Sequence, residues 1–314
     1  MTRLYTAAEV EAALDYPRLV AALRAAFAED GEPMPVRQSL AVGTEEAPGH
    51  LLVMPAWRRG SAIGVKLATV FPNNAARGLG AVASLYVLLD GTTGVPRAIL
   101  PGDELTNRRT GAASALAASF LARAESATLL VVGTGQVAFH AAQAHCAVRP
   151  ITRILVHGRA ADKAEAFAAR LRAPGIDALF APDLAAASGE ADIITCGTTA
   201  TAPLIRGAQV RPGTHVDLVG AFTPAMRESD DALIAASAVY VDTRAGALAE
   251  AGDLLQPIAA GAWSADRLRG DLGDLCAGRV QGRTSADAIT VFKSVGAALE
   301  DITAAMLVVE TVPA

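Results

Sequence analysis

The sequence predicts an α/β protein in which a doubly wound parallel sheet is inserted into an α+β unit built from both chain ends. Three observations lead there. From Ser126 onward, short apolar runs (TLLVV, RILVH, ADIITC, HVDLV and AVYVDT) are separated mostly by segments of helical pattern, as parallel strands buried on both faces are. Between the first of these runs and the helix after it stands Gly133-Thr134-Gly135-Gln136-Val137-Ala138, a G-x-G-x-x-A turn. Before Ser126 the pattern differs, with longer extended runs and a hairpin signal flanked by helices. No internal repeat or low-complexity linker interrupts the chain. The inserted unit is placed at about 120–284, and the outer unit at 1–119 plus 285–314.

Each element has its own signal. Thr6 with Glu9 makes a capping box ahead of Val10, Ala13 and Leu14. A second helix starts at Asp15, with Pro17 near its first turn and Leu19, Leu23 and Phe27 at helical spacing. PVRQSLAV, HLLVMPAW, AIGVKLATVF and AVASLYVLLDGTTGVPRAIL are extended, the last as a hairpin about GTTG. A long helix follows from about Asn107 through RRTGAASALAASFLARA. After Thr284, TSADAITVFKSVGAALEDITAAMLVVE reads as one long helix that packs back on the first segment.

Composition narrows the function classes. A chain of 314 residues that is 52% hydrophobic can bury a large core, and disorder is not expected. No apolar run approaches the roughly 18–20 residues that span a bilayer. The first segment, MTRLYTAAEVEAALDYPRLV, lacks the apolar stretch of a secretion signal. A net charge of −5 with both signs interspersed gives no basic footprint for nucleic acid or a membrane surface. Cys146, Cys196 and Cys276 are isolated and lack CxxC spacing, which argues against a disulfide framework and a zinc site. The histidines form no HExxH-like cluster, and His140 and His145 lie about 140° apart around a helix. The expectation is a cytoplasmic protein without a metal.

The glycine turn carries the first chemistry. Gly133 permits the tight turn, Gly135 lets a pyrophosphate approach the backbone, and the helix start at Thr134-Gly135-Gln136 attracts its charge. Its place in the first strand–helix unit makes this a Rossmann-type dinucleotide site. At the end of the second strand an NAD site usually holds an acid, about 20 residues past the glycines. This chain has His157, Gly158 and Arg159 there. An arginine can pair with a 2′-phosphate, so NADPH is preferred and NADH possible; the bland alternative for Arg159 is a solvated loop charge.

Three cations in the first segment stand out. Arg37 follows Pro35 at the start of an extended run, and Lys66 is flanked by apolar residues in AIGVKLATVF. If Thr106 caps the long helix, Arg109 falls in its first turn, above Ala113, Leu116 and Phe120. A cation there opposes the helix dipole and should meet an anion that the helix amides also attract. Arg108 points about 100° away and reads as a surface charge. Arginine forks bind carboxylates bidentately, and a lysine adds a point charge. Taken singly, each cation reads as a surface or structural charge.

The stretches PVR (35–37), GVKLATVFPNN (64–74), ELTNRRTGAASALA (104–117), GTGQ (133–136), LVGAFTPAMRE (218–228) and VFKSVGAALED (291–301) carry a resemblance. Over essentially its full length the chain resembles the ornithine cyclodeaminase/mu-crystallin family. The resemblance implies a homodimer that pairs sheets of the substrate domain across a two-fold. It also implies that Arg37, Lys66 and Arg109 hold a substrate carboxylate beside the nicotinamide, and that Thr198, Val219 and Ser294 line the cofactor cleft. From sequence alone, Thr198 reads equally as a loop residue and Ser294 as a helix-packing residue.

Family members that cyclise ornithine have an aspartate just after the glycines of the exit that here reads GAFTP. Aligned through Val219-Gly220 and Pro224, that place is Phe222. An aromatic ring cannot accept a proton from a side-chain amine, but it offers apolar area to a ring of methylenes. Burial in the core is the bland alternative for Phe222, and nearby Asp217 is expected inside the strand. Similar sequences with GAFTP-type exits are imine reductases. The implied activity is NAD(P)H-dependent reduction of a cyclic ketimine carboxylate, Δ1-pyrroline-2-carboxylate or Δ1-piperideine-2-carboxylate, to L-proline or L-pipecolate. The rivals are ornithine cyclodeaminase, an alanine dehydrogenase-like activity and a non-catalytic NADPH-dependent binding protein.

Overall fold

The structure, a computed structural model, describes residues 2–29 and 34–312. In chain order the first elements are β1 (Arg3–Leu4), α1 (Ala7–Ala13), α2 (Tyr16–Ala28), β2 (Gln38–Ala41), β3 (His50–Arg58), β4 (Ala62–Val70), β5 (Val82–Asp90), β6 (Pro96–Pro101) and α3 (Gly102–Leu121). Then come β7 (Thr128–Val132), α4 (Gln136–Val148), β8 (Arg153–His157), α5 (Ala161–Leu171), β9 (Asp177–Phe180), α6 (Leu184–Glu190), β10 (Ile193–Cys196) and β11 (His215–Leu218). The chain closes with α7 (Asp231–Ala236), β12 (Ala238–Val241), α8 (Arg244–Glu250), α9 (Gly252–Ala259), β13 (Gly270–Asp271), α10 (Leu272–Cys276), β14 (Thr290–Lys293) and α11 (Ala298–Thr311). Among the described residues, 2–26, 34–109 and 297–312 form one compact unit, and 27–29 with 110–296 form a second. The sequence pattern sets these divisions at 119/120 and 284/285.

The first unit is a six-stranded sheet in the order β1-β6-β5-β4-β3-β2, antiparallel except for the β1–β6 pair. The expected capping box starts α1: Thr6 receives the Glu9 amide, and Glu9 receives the Thr6 amide. Asp15 accepts from the Arg18 amide at the start of α2, where Pro17 loses no helical hydrogen bond. On β4 the period of two is strict: Ala62, Gly64, Lys66 and Ala68 are buried, and the residues between them are half-buried. The buried row continues in register through Met54 on β3, Tyr86 on β5 and Leu100 on β6, and α11 packs on β3, β4 and β5. Val53, Leu67 and Leu85 share another row, half-buried or exposed.

The second unit is an eight-stranded, wholly parallel sheet ordered β13-β12-β14-β11-β10-β7-β8-β9. Read from β9, the strands run third, second, first, fourth, fifth, so the order reverses between β7 and β10. Two apolar clusters fill this unit. One is built around Leu130, Ile194, Val216, Val239 and Val291, the other around Leu129, Val131, Ile154, Phe167 and Ile193. Successive residues of one strand enter opposite clusters, as in a sheet covered on both faces.

Two expectations are corrected here. The stretch after Thr284 is not one helix. Thr290–Lys293 is β14, inserted between β11 and β12, and Gly296 at φ 87° turns the chain before α11 begins. A run of Ile, Thr, Val and Phe buried on both faces lacks the alternation that would have marked it as a strand. The helix expected from about Asn107 begins at Gly102, directly after β6, with Asp103 and Glu104 in its first turn. Carboxylates at that end suit the helix dipole.

Candidate active site

In the first unit, Lys66 sits on the buried face of β4, opposite Met54 and Tyr86. The first turn of α11 brings Glu300 and Asp301 to this face. Lys66 Nζ lies 2.7 Å from Asp301 Oδ2. Arg109 donates from Nε to Asp301 Oδ1 at 2.8 Å and from Nη1 to Glu300 Oε2 at 2.6 Å. None of these four side chains is more than 5% exposed.

The electrostatics follow from that burial. Desolvation pulls the Lys66 ammonium down to about 8; the charges of Arg109 and Arg37 push the same way, and Asp301 opposes them. Burial also works against the Arg109 charge, but Asp301 and Glu300 outweigh it and hold the guanidinium above its usual range. Burial would raise the Asp301 carboxyl, yet Arg109 and Lys66 keep it below the usual carboxylate range. Arg37 is half-buried and its charge reaches Lys66, so these three cations are neighbours within one unit. Such a cluster can hold a carboxylate.

Arg109 does not sit in the first turn of its helix, where the sequence predicts it. With α3 starting at Gly102, Arg109 lies two turns inside the helix, and Thr106 Oγ1 is buried without a partner instead of capping. The side-chain anions that meet Arg109 are Glu300 and Asp301, and they come from another helix rather than from the start of α3. Nor is Arg108 a surface charge. It is 7% exposed, donating from Nε to Glu104 at 2.5 Å, from Nη2 to Glu11 at 2.7 Å and from Nη1 to the Leu14 carbonyl at 3.3 Å. Glu104 and Arg108 are one helical turn apart, a pairing that the misplaced helix start concealed.

In the second unit the glycine turn follows β7. Gly133 has φ 112°, and a Cβ there would stand 2.7 Å from the Gly197 carbonyl oxygen. Only glycine combines that backbone with that approach. Around Gly135 the space is open, and α4 begins at Gln136 with no side-chain cap on its first amides. Open space and uncapped amides fit a pyrophosphate. Thr134 meets Gly158, where a Cβ would stand 2.9 Å from Thr134 Cγ2, so the exits of β7 and β8 touch.

His157 ends β8, its Nδ1 2.9 Å from the Ala181 carbonyl oxygen. It opens on a pocket of about 580 Å3 lined also by Asp183, Leu184, Leu204, Arg206 and Gln209. Arg159 is exposed. Thr198 follows β10, half-buried, with its amide and hydroxyl both donating to Glu228 Oε1 at 2.7 Å. Val219 is buried just past β11. Ser294 is buried past β14, with its hydroxyl on Asp242 Oδ2 at 3.0 Å. Phe222 is half-buried in the β11 exit and is not a core residue. Asp217 does lie inside β11, against Thr195 at 2.7 Å and His145 at 3.2 Å.

Among the described residues, several buried ionisable groups have no signal in the sequence, including Glu300, Asp301, Glu228, Asp253, Lys293 and Asp242. Asp253 Oδ1 accepts from the Glu228 and Ser229 amides, and Lys293 Nζ lies 3.2 Å from Asp253 Oδ2. No group of three or more metal-ligating side chains occurs among the described residues, and no helix there is long and apolar enough to cross a membrane.

Against known proteins, residues 1–314 match the profile of the ornithine cyclodeaminase/mu-crystallin family. A Δ1-pyrroline-2-carboxylate reductase of Paracoccus denitrificans is 42% identical over 273 residues, 87% of this chain and 86% of that one. The solved Δ1-pyrroline-2-carboxylate reductase of Thermococcus litoralis, in complex with NADH and L-proline, superposes with a TM-score of 0.93. It is 32% identical and covers 98% of this chain and 96% of its own. An archaeal alanine dehydrogenase dimer with bound NAD superposes at 0.90, with 28% identity over 99% of this chain and 95% of its own.

Proposed function

The chain belongs to the ornithine cyclodeaminase/mu-crystallin family, and from that membership and the buried cation cluster we propose that it reduces a cyclic ketimine carboxylate with a nicotinamide cofactor. The substrate is Δ1-pyrroline-2-carboxylate or its six-membered homologue Δ1-piperideine-2-carboxylate, giving L-proline or L-pipecolate. The observation that carries this reading is Lys66 and Arg109 on one buried face, with the charge of Arg37 acting on Lys66. A buried cation is costly unless an anion meets it. A substrate carboxylate joins the anions that Glu300 and Asp301 already provide.

When bound, the cofactor supplies a hydride from nicotinamide C4. Arg37, Lys66 and Arg109 hold the carboxylate, which fixes the adjoining C2 and removes much of the entropic cost of encounter. The Lys66 ammonium delivers a proton to the imine nitrogen. The hydride pair then goes to C2 and the C=N π pair to nitrogen, leaving a neutral secondary amine. Positive charge on the iminium disappears in that step, and surrounding cations favour its loss.

A reductase is favoured over a cyclodeaminase by the β11 exit. Phe222 cannot take a proton from a side-chain amine, and the nearby Glu228 carboxylate is turned inward onto amides. The glycine turn, with Thr134, Gln136, Thr198, Val219 and Ser294 around it, would hold the dinucleotide. His157 and Arg159 would face its adenosine ribose, and Arg159 favours NADPH. Arg159→Asp should lower the NADPH-to-NADH ratio of kcat/KM roughly tenfold to a hundredfold, the worth of one charge-assisted contact. An unchanged ratio removes Arg159 from that role. The apolar row Val53-Leu67-Leu85 supports a homodimer through the first sheet.

The deciding experiment follows NADPH oxidation with each cyclic imine, with pyruvate plus ammonia as control. Consumption with an imine and none with the control is expected. Turnover with pyruvate and ammonia alone, or NADPH binding without turnover of either imine, would refute the proposal.

A further inference from the structure

We propose that Glu228 is a positioning residue, whose buried carboxylate ties the chain leaving β10 to the chain leaving β11 and so fixes the shelf for the nicotinamide half of the cofactor. This rests on the reading of the second unit as a nicotinamide-dinucleotide site. Glu228 is fully buried. Its Oε1 accepts from the Thr198 amide and hydroxyl, both at 2.7 Å. Its Oε2 accepts from the Gly220 amide at 2.8 Å and the Ala221 amide at 3.3 Å.

The position of these donors gives the clamp its meaning. β10 and β11 pair in register from Ile193↔His215 to Cys196↔Leu218, so their exits leave the sheet side by side. They are the fourth and fifth strands, beyond the point where strand order reverses, and such sheets bind ligands outside the carboxyl ends there. Gly220 allows the exits to close, because a Cβ on it would collide with the Thr198 backbone and with Glu228 itself. Asp253 holds the Glu228 segment from below by accepting its amide at 2.8 Å, and Lys293 backs Asp253 at 3.2 Å.

Every group presented to the carboxylate is a donor, so the clamp needs two acceptor oxygens. Glutamine has the same shape but one oxygen and one NH2. Facing either way, its NH2 leaves the amide of Thr198, or those of Gly220 and Ala221, without the acceptor that Glu228 gives them.

The test compares the parent and Glu228→Gln in titrations with NADPH and with ADP-ribose, which lacks nicotinamide. NADPH affinity is expected to fall about tenfold while ADP-ribose affinity stays at the parent value, with a lower kcat at saturating NADPH. A role in stability alone moves both ligands together or neither, and either result overturns the proposal. If Glu228→Gln is not recovered folded, Glu228→Asp, which keeps the charge but shortens the reach, is judged by the same titrations. A parent protein that binds NADPH yet reduces no cyclic imine refutes the reaction and leaves the clamp testable by binding; one that binds neither nucleotide refutes both.

Discussion

Replacing Lys66 with methionine is expected to lower kcat/KM for the cyclic imine by roughly a thousandfold, since both a carboxylate contact and a proton source are lost. Cofactor affinity should stay near that of the parent, because the glycine turn and its neighbours belong to the other unit. Methionine matches the length of the lysine stem and needs no counter-charge in a site 3% exposed. Because Arg109 still meets both carboxylates, the loss of stability is smaller than for removing Asp301. Asp301 keeps its contact with Arg109 Nε at 2.8 Å. The measurements are steady-state turnover and NADPH titration on one preparation. A variant with parental turnover refutes the role of Lys66, and equal loss of NADPH binding makes the effect structural.

The same residue sets a pH dependence. With burial, Arg109 and Arg37 lowering its proton affinity to about 8, Lys66 is an ammonium at neutral pH and loses its proton above that value. Anchor and proton source vanish together, so kcat/KM should fall as pH rises through about 8.

Much of the second unit was legible because its signals are local. TLLVV ends in GTGQVA, and a glycine turn between a buried strand and a helix means the same wherever it occurs. β14 was not legible. Its sequence, TVFK, lies between β11 and β12 in space, and such non-local insertion leaves no periodicity to read. That misreading also hid part of the site. Once Thr290–Lys293 is a strand, Glu300 and Asp301 become the first turn of a new helix, aimed at β4. Lys66 stood out as a charge among apolar neighbours, but no spacing rule links it to Asp301, 235 positions later. Glu228 escaped for a similar reason. In GAFTPAMRE it reads as the first acid beyond a loop, whereas the chain folds back so that this carboxylate grips the amide of Gly220.

Asp301→Asn is expected to destabilise the protein by about 3–5 kcal/mol, the usual result of removing one partner from a buried ionic set. The substitution creates no cavity. It takes the charge that Lys66 and Arg109 share at 2.7 and 2.8 Å and turns an NH2 toward one of them. Glu190→Gln, which breaks the exposed Arg153–Glu190 pair at 2.9 Å, should by contrast cost under about 1 kcal/mol. The sign of the pH effect follows from the direction of the shift. Burial raises the Asp301 carboxyl, but Arg109 and Lys66 more than reverse that and hold it below its unfolded value. Its stabilisation is therefore present above about pH 3.9 and lost as pH falls through the lower folded value, so parent and variant converge in acid. Catalysis should move as well. Asp301 is the group that supports the proton on Lys66, and without it the alkaline fall in kcat/KM shifts below about 8. Denaturant midpoints across pH and a pH–rate profile measure the two effects separately. If the variant keeps its stability and its alkaline limb, Asp301 does not govern these cations, and the charge on Lys66 must be maintained by something else.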